Sequence, residues 1–525
     1  MSTARRPSAH ASTARRPSAH ASTARRTPAH ASTARRATAL PLAFLAAVAL
    51  AACSDAPGPQ ESAPFRHRGV IEGFYGQPYD TATRARILRF IGARGMNAYV
   101  YAPKNDPLHR DRWREPYPEE QLADFGELAR VGREFGVRFY FAIAPGITYD
   151  RDDPADFERL AAKLRSVHDH GVTGFALLFD DLLDPASTAL DPELQAGLTA
   201  RVAELVAGFG PDTDLWFIGH VYTGLADDLR ANRGLFAALS PLPPQVYYDA
   251  YAALVPPELP IMWTGPGVFS ARLTRADAED FRDFAGGRPV VIWDNFPVND
   301  SIARELFLGP YLGRDADLSD AADVVLNLMS QPLAGQIALA TAAEYLADPP
   351  GYDPEGAWQR AIGDVGGPGA AALELFAAQH RGHPVLAGAD EAIELGRRIA
   401  AAFPAGGTDP AGVEELRAYL AELAANRAAL QATIDDPQLL AEIEPWSRKL
   451  TDLATAALAG LAALAGRADA VTYRDARDAA ARQAPAVAAT ISNSALAVLS
   501  GGVVNPPVDR FGELFVAIDE RLRGP

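Results

Sequence analysis

The sequence predicts an α/β fold, a (β/α)8 barrel followed by an α-helical bundle, on three observations. From residue 65 onward, short apolar runs alternate with helix-period stretches, and eight such runs fit within about 280 residues. Polar and aromatic residues gather where those runs end. Beyond residue 345 the β-branched runs thin out, and Ala, Leu and Glu dominate between Gly/Pro clusters.

The eight strand candidates span 69–75, 97–102, 138–144, 174–180, 214–219, 260–264, 289–295 and 323–327. Amphipathic stretches at 83–94, 119–135, 156–168 and 192–208 supply helices between them. These elements assign 65–345 to the barrel and 346–525 to the bundle. The Ala-rich run 454–466 reads as a close-packed core helix, because Asp452 precedes it and Arg467 ends it before it could span a bilayer.

The first 36 residues repeat the unit STARRPSAHA with small drift and hold eight arginines and no acid. A unit without large apolar residues cannot bury a core, so 1–36 reads as a disordered basic tail or a misassigned start. Without it the formal charge of −17 becomes eight units more negative, which disfavours nucleic-acid binding. Residues 37–53 follow as an export signal: Arg35-Arg36, then a short apolar run ending in Leu50-Ala51-Ala52-Cys53. That ending resembles the bacterial lipobox, which implies lipidation at Cys53 and an exported protein held at the outer face of the cell membrane. Membrane association is expected through that anchor alone, with 54–64 as a flexible tether. With one cysteine in the chain, no intramolecular disulfide and no Cys-based metal cluster can form.

The chemistry is expected at the run ends, where barrel enzymes carry their active sites. Asp180-Asp181 follows the apolar run 175–179. Neighbours on a strand face opposite ways, so both carboxylates serve one pocket only if the strand stops and Asp181 bends inward. Two carboxylates that close should split, one titrating high and the other staying ionised, giving an acid and an anion. The ten histidines show no metal-ligand spacing, and no metal or other cofactor is expected.

Around this pair stand Glu72-Gly73-Phe74-Tyr75-Gly76, Tyr101-Ala102-Pro103-Lys104-Asn105-Asp106-Pro107, Ala144-Pro145-Gly146, Met262-Trp263-Thr264-Gly265-Pro266 and Trp293-Asp294-Asn295. In this order they resemble family 84 glycoside hydrolases, the O-GlcNAcase family, some of whose bacterial members carry a hyaluronidase label. The resemblance runs strongly over about residues 66–350 and implies an exo-acting, retaining β-N-acetylglucosaminidase. It further implies that the 2-acetamido oxygen of a GlcNAc-containing glycan attacks the anomeric carbon to form an oxazoline. Asp180 would then polarise the acetamido N–H, and Asp181 would serve as general acid and later as base. Substrate assistance is a known exception to the usual two-carboxylate scheme.

By the same resemblance the Gly73 backbone and Lys104 contact sugar hydroxyls, and Asn295 and Asp300 grip the far side of the ring. Tyr222 and Asn327 hold the acetamido group and the oxazoline, Thr264 and Val268 line the acetamido pocket, and Trp293 is an aromatic wall. Two stretches depart from the family. Where it usually has Pro-Thr-Glu-Tyr this chain has Gly219-His220-Val221-Tyr222, and Leu328 replaces the proline that usually follows Asn327. His220 then either touches substrate or fills the space of the missing glutamate, and the second reading is preferred. Two other functions remain open on the sequence: a non-catalytic barrel that binds GlcNAc glycans, and an endo-acting glycanase of the hyaluronan type.

Overall fold

A computed structural model describes residues 64–182, 187–302, 305–383, 385–386, 392–405, 407–482 and 510–523. The basic repeats, the export signal with Cys53 and all but the last residue of the tether lie outside the described residues.

Eight parallel strands close into a barrel in sequence order. They are β1 (Arg68–Glu72), β2 (Ala98–Tyr101), β3 (Arg138–Ile143), β4 (Gly174–Leu178), β5 (Asp214–Ile218), β6 (Ile261–Trp263), β7 (Val290–Asp294) and β8 (Asp323–Asn327). Closure is made by β1 pairing with β8, with Gly69 opposite Val325 and Ile71 opposite Asn327. Nearly every strand residue is buried, as expected where one face packs inside the barrel and the other against helices. Most strands stop one to three residues short of the apolar runs that announce them: β1 ends at Glu72 and β4 at Leu178. Gly73, Asp180 and Asp181 therefore lie just past the ladder, where backbone direction is free to change.

Four helices alternate with the first five strands: α1 (Thr81–Gly92), α2 (Glu119–Glu134), α3 (Pro154–Asp169) and α4 (Pro192–Ala207). Both α3 and α4 begin with Asp-Pro. The aspartate accepts from backbone N–H groups that the first turn leaves unpaired, and proline is pre-set for the first helical position. Two longer helices, Pro410–Thr433 and Pro437–Leu464, start the same way at Asp409 and Asp436. The connection from β7 to β8 differs: its described residues contain 3-10 turns at Asp300–Ile302 and Leu318–Asp320 and no α-helix.

From Gln336 on, the regular elements among the described residues are all helices, and a second apolar cluster forms around Trp358, Leu395, Leu420, Leu423, Trp446 and Leu514. The 454–466 run falls within Pro437–Leu464, with Ala454, Ala456, Ala457, Gly460 and Leu461 buried. Among the described residues no helix is long and apolar enough to cross a membrane. The helices are tied to the barrel by polar contacts as well. Glu442 accepts from the N–H groups of Leu333 (2.8 Å) and Ala334 (3.0 Å), and Trp358 Nε1 donates to Leu308 O at 2.7 Å. Burial pushes the Glu442 carboxyl up to about 7.

Candidate active site

The loops after the strands enclose one pocket that brings together every residue expected there: Gly73, Lys104, Asp180, Asp181, Tyr222, Thr264, Val268, Trp293, Asn295, Asp300 and Asn327. Tyr75, Ile218, Phe269 and Val298 complete its lining. The pocket sits at the carboxyl ends of the strands, as barrel chemistry requires.

Asp181 has a φ of 55°, a left-handed conformation that costs a non-glycine residue about 1–2 kcal/mol. This bend turns the second carboxylate into the pocket beside the first. Tyr222 OH donates to Asp181 Oδ1 at 2.7 Å, and Tyr75 OH to Oδ2 at 2.9 Å. Burial raises both phenols, so they stay protonated donors. Lys104 Nζ pairs with Asp180 and lies 3.6 Å from Asp181 Oδ2.

Of the expected high and low members of the pair, Asp181 is held low: burial pushes it up, but the Lys104 and Arg110 cations and the two phenol hydrogen bonds outweigh it, keeping its carboxyl below the usual range. A sequence shows that two aspartates adjoin; it does not show that a lysine from a different strand end will lie between them.

The opposite wall is built from amides. Gly73 N donates to Asn327 Oδ1 (3.1 Å), Asn327 Nδ2 to Asn295 Oδ1 (2.8 Å), and Asn295 Nδ2 to Val268 O (2.7 Å). Each amide's orientation is thus fixed by the next, in a chain from β1 to the loop after β6. Trp293 closes this side so tightly against Gly73 that a Cβ there would come within 2.2 Å of its ring. Its Nε1 is buried without a hydrogen-bond partner. Asp300 accepts from Tyr75 N at 2.9 Å, and burial lifts its carboxyl to about 6.

The two departures resolve differently. His220 does not line the pocket; it is buried behind Tyr222, edge-on to Phe236 at 5.1 Å, with both ring nitrogens unpartnered. Burial lowers it to about 4, so it stays neutral and fills space. Asn327 keeps its place in the amide chain although leucine follows it. Trp263 belongs to the core, stacked on Phe281 at 4.5 Å, whereas Trp293 faces the pocket. Tyr75 and Arg110 escaped the sequence reading. Tyr75 sits inside a stretch recognisable in the sequence and Arg110 three residues past another, but only folding shows that they converge on Asp181. Among the described residues no cluster of His, Cys, Asp or Glu could hold a metal ion.

A paired carboxylate at the mouth of a parallel barrel, faced by an aromatic wall and aligned amides, is an arrangement suited to a glycoside hydrolase. The β-N-acetylglucosaminidase family profile matches residues 68–378, and the chain belongs to that family. The Protein O-GlcNAcase of Rattus norvegicus is 33% identical over 254 residues, which cover 48% of this chain and 26% of that protein. The Mus musculus Protein O-GlcNAcase matches to the same extent, with 33% identity over 254 residues. The match thus spans about a quarter of the length of these curated relatives. The structure of a Thermobaculum terrenum O-GlcNAc hydrolase variant aligns with a TM-score of 0.71 and 26% identity, covering 88% of this chain and 95% of that one.

Proposed function

We infer that the protein is an exo-acting, retaining β-N-acetylglucosaminidase that removes terminal β-linked GlcNAc from a glycan or glycoconjugate with help from the substrate's acetamido group. The observation that carries this reading is the bend at Asp181, which puts two carboxylates in one pocket opposite a chain of aligned amides.

In this mechanism the acetamido oxygen attacks the anomeric carbon while Asp180 accepts the acetamido N–H and steadies the charge that develops there. Asp181 gives its proton to the departing oxygen, and the C1–O bond breaks to leave an oxazoline. Water then enters, Asp181 takes its proton, and attack at C1 reopens the ring with retained configuration. Holding the nucleophile within the substrate replaces a bimolecular step, leaving acid–base work to Asp181. The depressed Asp181 carboxyl depends on Lys104 staying beside it. When the sugar hydroxyls draw Lys104 away, Asp181 loses its nearest cation and rises toward the range of a working acid.

Asn295 and Asp300 grip the ring, Thr264 and Val268 enclose the acetamido methyl, and Tyr222 with Asn327 steadies the oxazoline. The helices beyond residue 345 form a bundle that buttresses the β7–β8 side. Export and lipid anchoring at Cys53 place the enzyme outside the cell.

The test is release of nitrophenol from the aryl β-N-acetylglucosaminide by protein starting at Ser54, beside Asp180→Asn and Asp181→Asn. Turnover that a thiazoline inhibitor blocks, that Asp180→Asn loses and that Asp181→Asn lowers supports the mechanism. A well-folded wild type with no turnover overturns it in favour of a sugar-binding barrel.

A further inference from the structure

Arg110 stands directly behind the carboxylate pair. It follows His109, whose Nδ1 contacts Ala142 O at 2.8 Å and whose carbonyl accepts from Ala144 N at 3.0 Å. These two contacts pin the loop after β2 to the end of β3 and aim the next side chain at the end of β4. There Arg110 Nη2 donates to the backbone carbonyl of Asp181 at 3.1 Å, at the residue whose left-handed bend forms the site. The guanidinium is buried, its Nη1 has no hydrogen-bond partner, and its centre lies 6.0 Å over the Tyr75 ring.

A neutral amide would serve to hold one carbonyl. Burying a full cation is costly, and the hydrogen bond of this one goes to a carbonyl rather than to a carboxylate. The acids that act on it at longer range include Asp180, Asp181 and Asp111. Lys104 is expected to leave these carboxylates for sugar hydroxyls, whereas Arg110 does not line the pocket and has no substrate to turn to.

We propose that Arg110 is a positioning residue of the glycosidase, which locks the Asp181 bend through its carbonyl and supplies the cation that remains behind the carboxylate pair throughout turnover. The proposal rests on the glycosidase reading. Other groups also set the titration of Asp181. Asp180 adjoins it, Lys104 approaches from the loop after β2, and Tyr75 and Tyr222 bond to it. His220 and Asp300 act on it from the loops after β5 and β7. Of the two cations, Arg110 alone stays fixed when sugar binds, so its removal isolates its share.

The test compares kcat–pH profiles of wild type, Arg110→Met, Arg110→Gln and Arg110→Lys on the aryl glycoside. The basic limb reports the acid that must stay protonated in the bound complex. Methionine and glutamine remove the charge and should move that limb up by about one pH unit, while lysine should leave it in place. Glutamine keeps a donor for the Asp181 carbonyl, so it answers if methionine prevents folding. Lowered turnover with an unmoved limb in every folded variant would reduce Arg110 to a structural role and overturn the proposal. A folded wild type without turnover would instead defeat the glycosidase reading. The 13C NMR titration of Asp181, assigned with Asp181→Asn, then decides on the ligand-free protein: an unchanged midpoint in Arg110→Gln overturns the proposal, and a raised one supports it.

Discussion

On the β2–β4 side of the pocket the contacts carry charge, whereas on the β7–β8 side amide follows amide. Lys104 and Arg110 face Asp180 and Asp181, and two phenols hold Asp181 from both oxygens. Across from them Gly73, Asn327, Asn295 and Val268 form a neutral relay. Charges in a buried site act over several ångströms and shift one another's protonation, while amides act only through direct, oriented contact. The first side is therefore suited to moving protons and the second to holding a sugar still. Substitutions on the two sides should leave different signatures.

The largest effect is expected at the carboxylates. Asp181→Asn should lower kcat/KM on a poor leaving group by about 100- to 10,000-fold, with a much smaller loss on an activated aryl glycoside, read from initial rates on both substrates. Lys104→Met comes next. It strands buried carboxylates beside a single remaining cation, and chemical denaturation at pH 7 should show a loss of about 3 kcal/mol. The sign follows from Asp181, whose folded carboxyl lies below its unfolded value. Its stabilisation is present above the unfolded value and is lost as pH falls through the folded one. The difference between wild type and Lys104→Met should therefore shrink as pH falls below about 4.

The amide side should respond otherwise. Asn327→Ala leaves the Gly73 N–H and Asn295 Oδ1 without their partner, at a cost of about 1–3 kcal/mol. It should raise KM and lower kcat without moving either limb of the pH profile, and a shifted limb would erase the distinction between the two sides. The smallest effect is expected at Asp300, the one carboxyl that grips from the amide side. Its folded carboxyl is pushed up to about 6 by burial, so it favours folding when protonated and loses that advantage as pH rises through 6. Thermal unfolding of Asp300→Asn should thus improve relative to wild type between about pH 4 and 6 and level off above.

Much of this was legible in the sequence. Parallel barrel strands are buried on both faces and read as apolar runs, so all eight could be found, although hydropathy continues past the point where pairing stops. The helix starts at Glu119 and Pro192 were legible, whereas the stretches read from 83 and 156 begin two residues inside α1 and α3. That the described residues between β7 and β8 hold 3-10 turns and no α-helix was not legible, since no local signal marks such a connection. Within the site, residues that carry their own motif, such as Lys104 and Asn295, were visible. Arg110 was not, because its role depends on His109 pinning a loop across β3 and on a backbone bend in β4's loop. The same limit applies to Asp181: local repulsion predicts that one carboxyl of the pair stays ionised, but not that a cation brought from another strand makes Asp181 that one.

The division of labour between the two carboxylates is tested most directly by the dependence of kcat/KM on leaving-group acidity, measured over a series of aryl β-N-acetylglucosaminides. A steep dependence is expected for Asp181→Asn, which can no longer protonate the departing oxygen. For Asp180→Asn the expected result is a uniform drop with the slope of the wild type. Equal slopes in the two variants would contradict the assignment of acid to Asp181 and acetamido partner to Asp180.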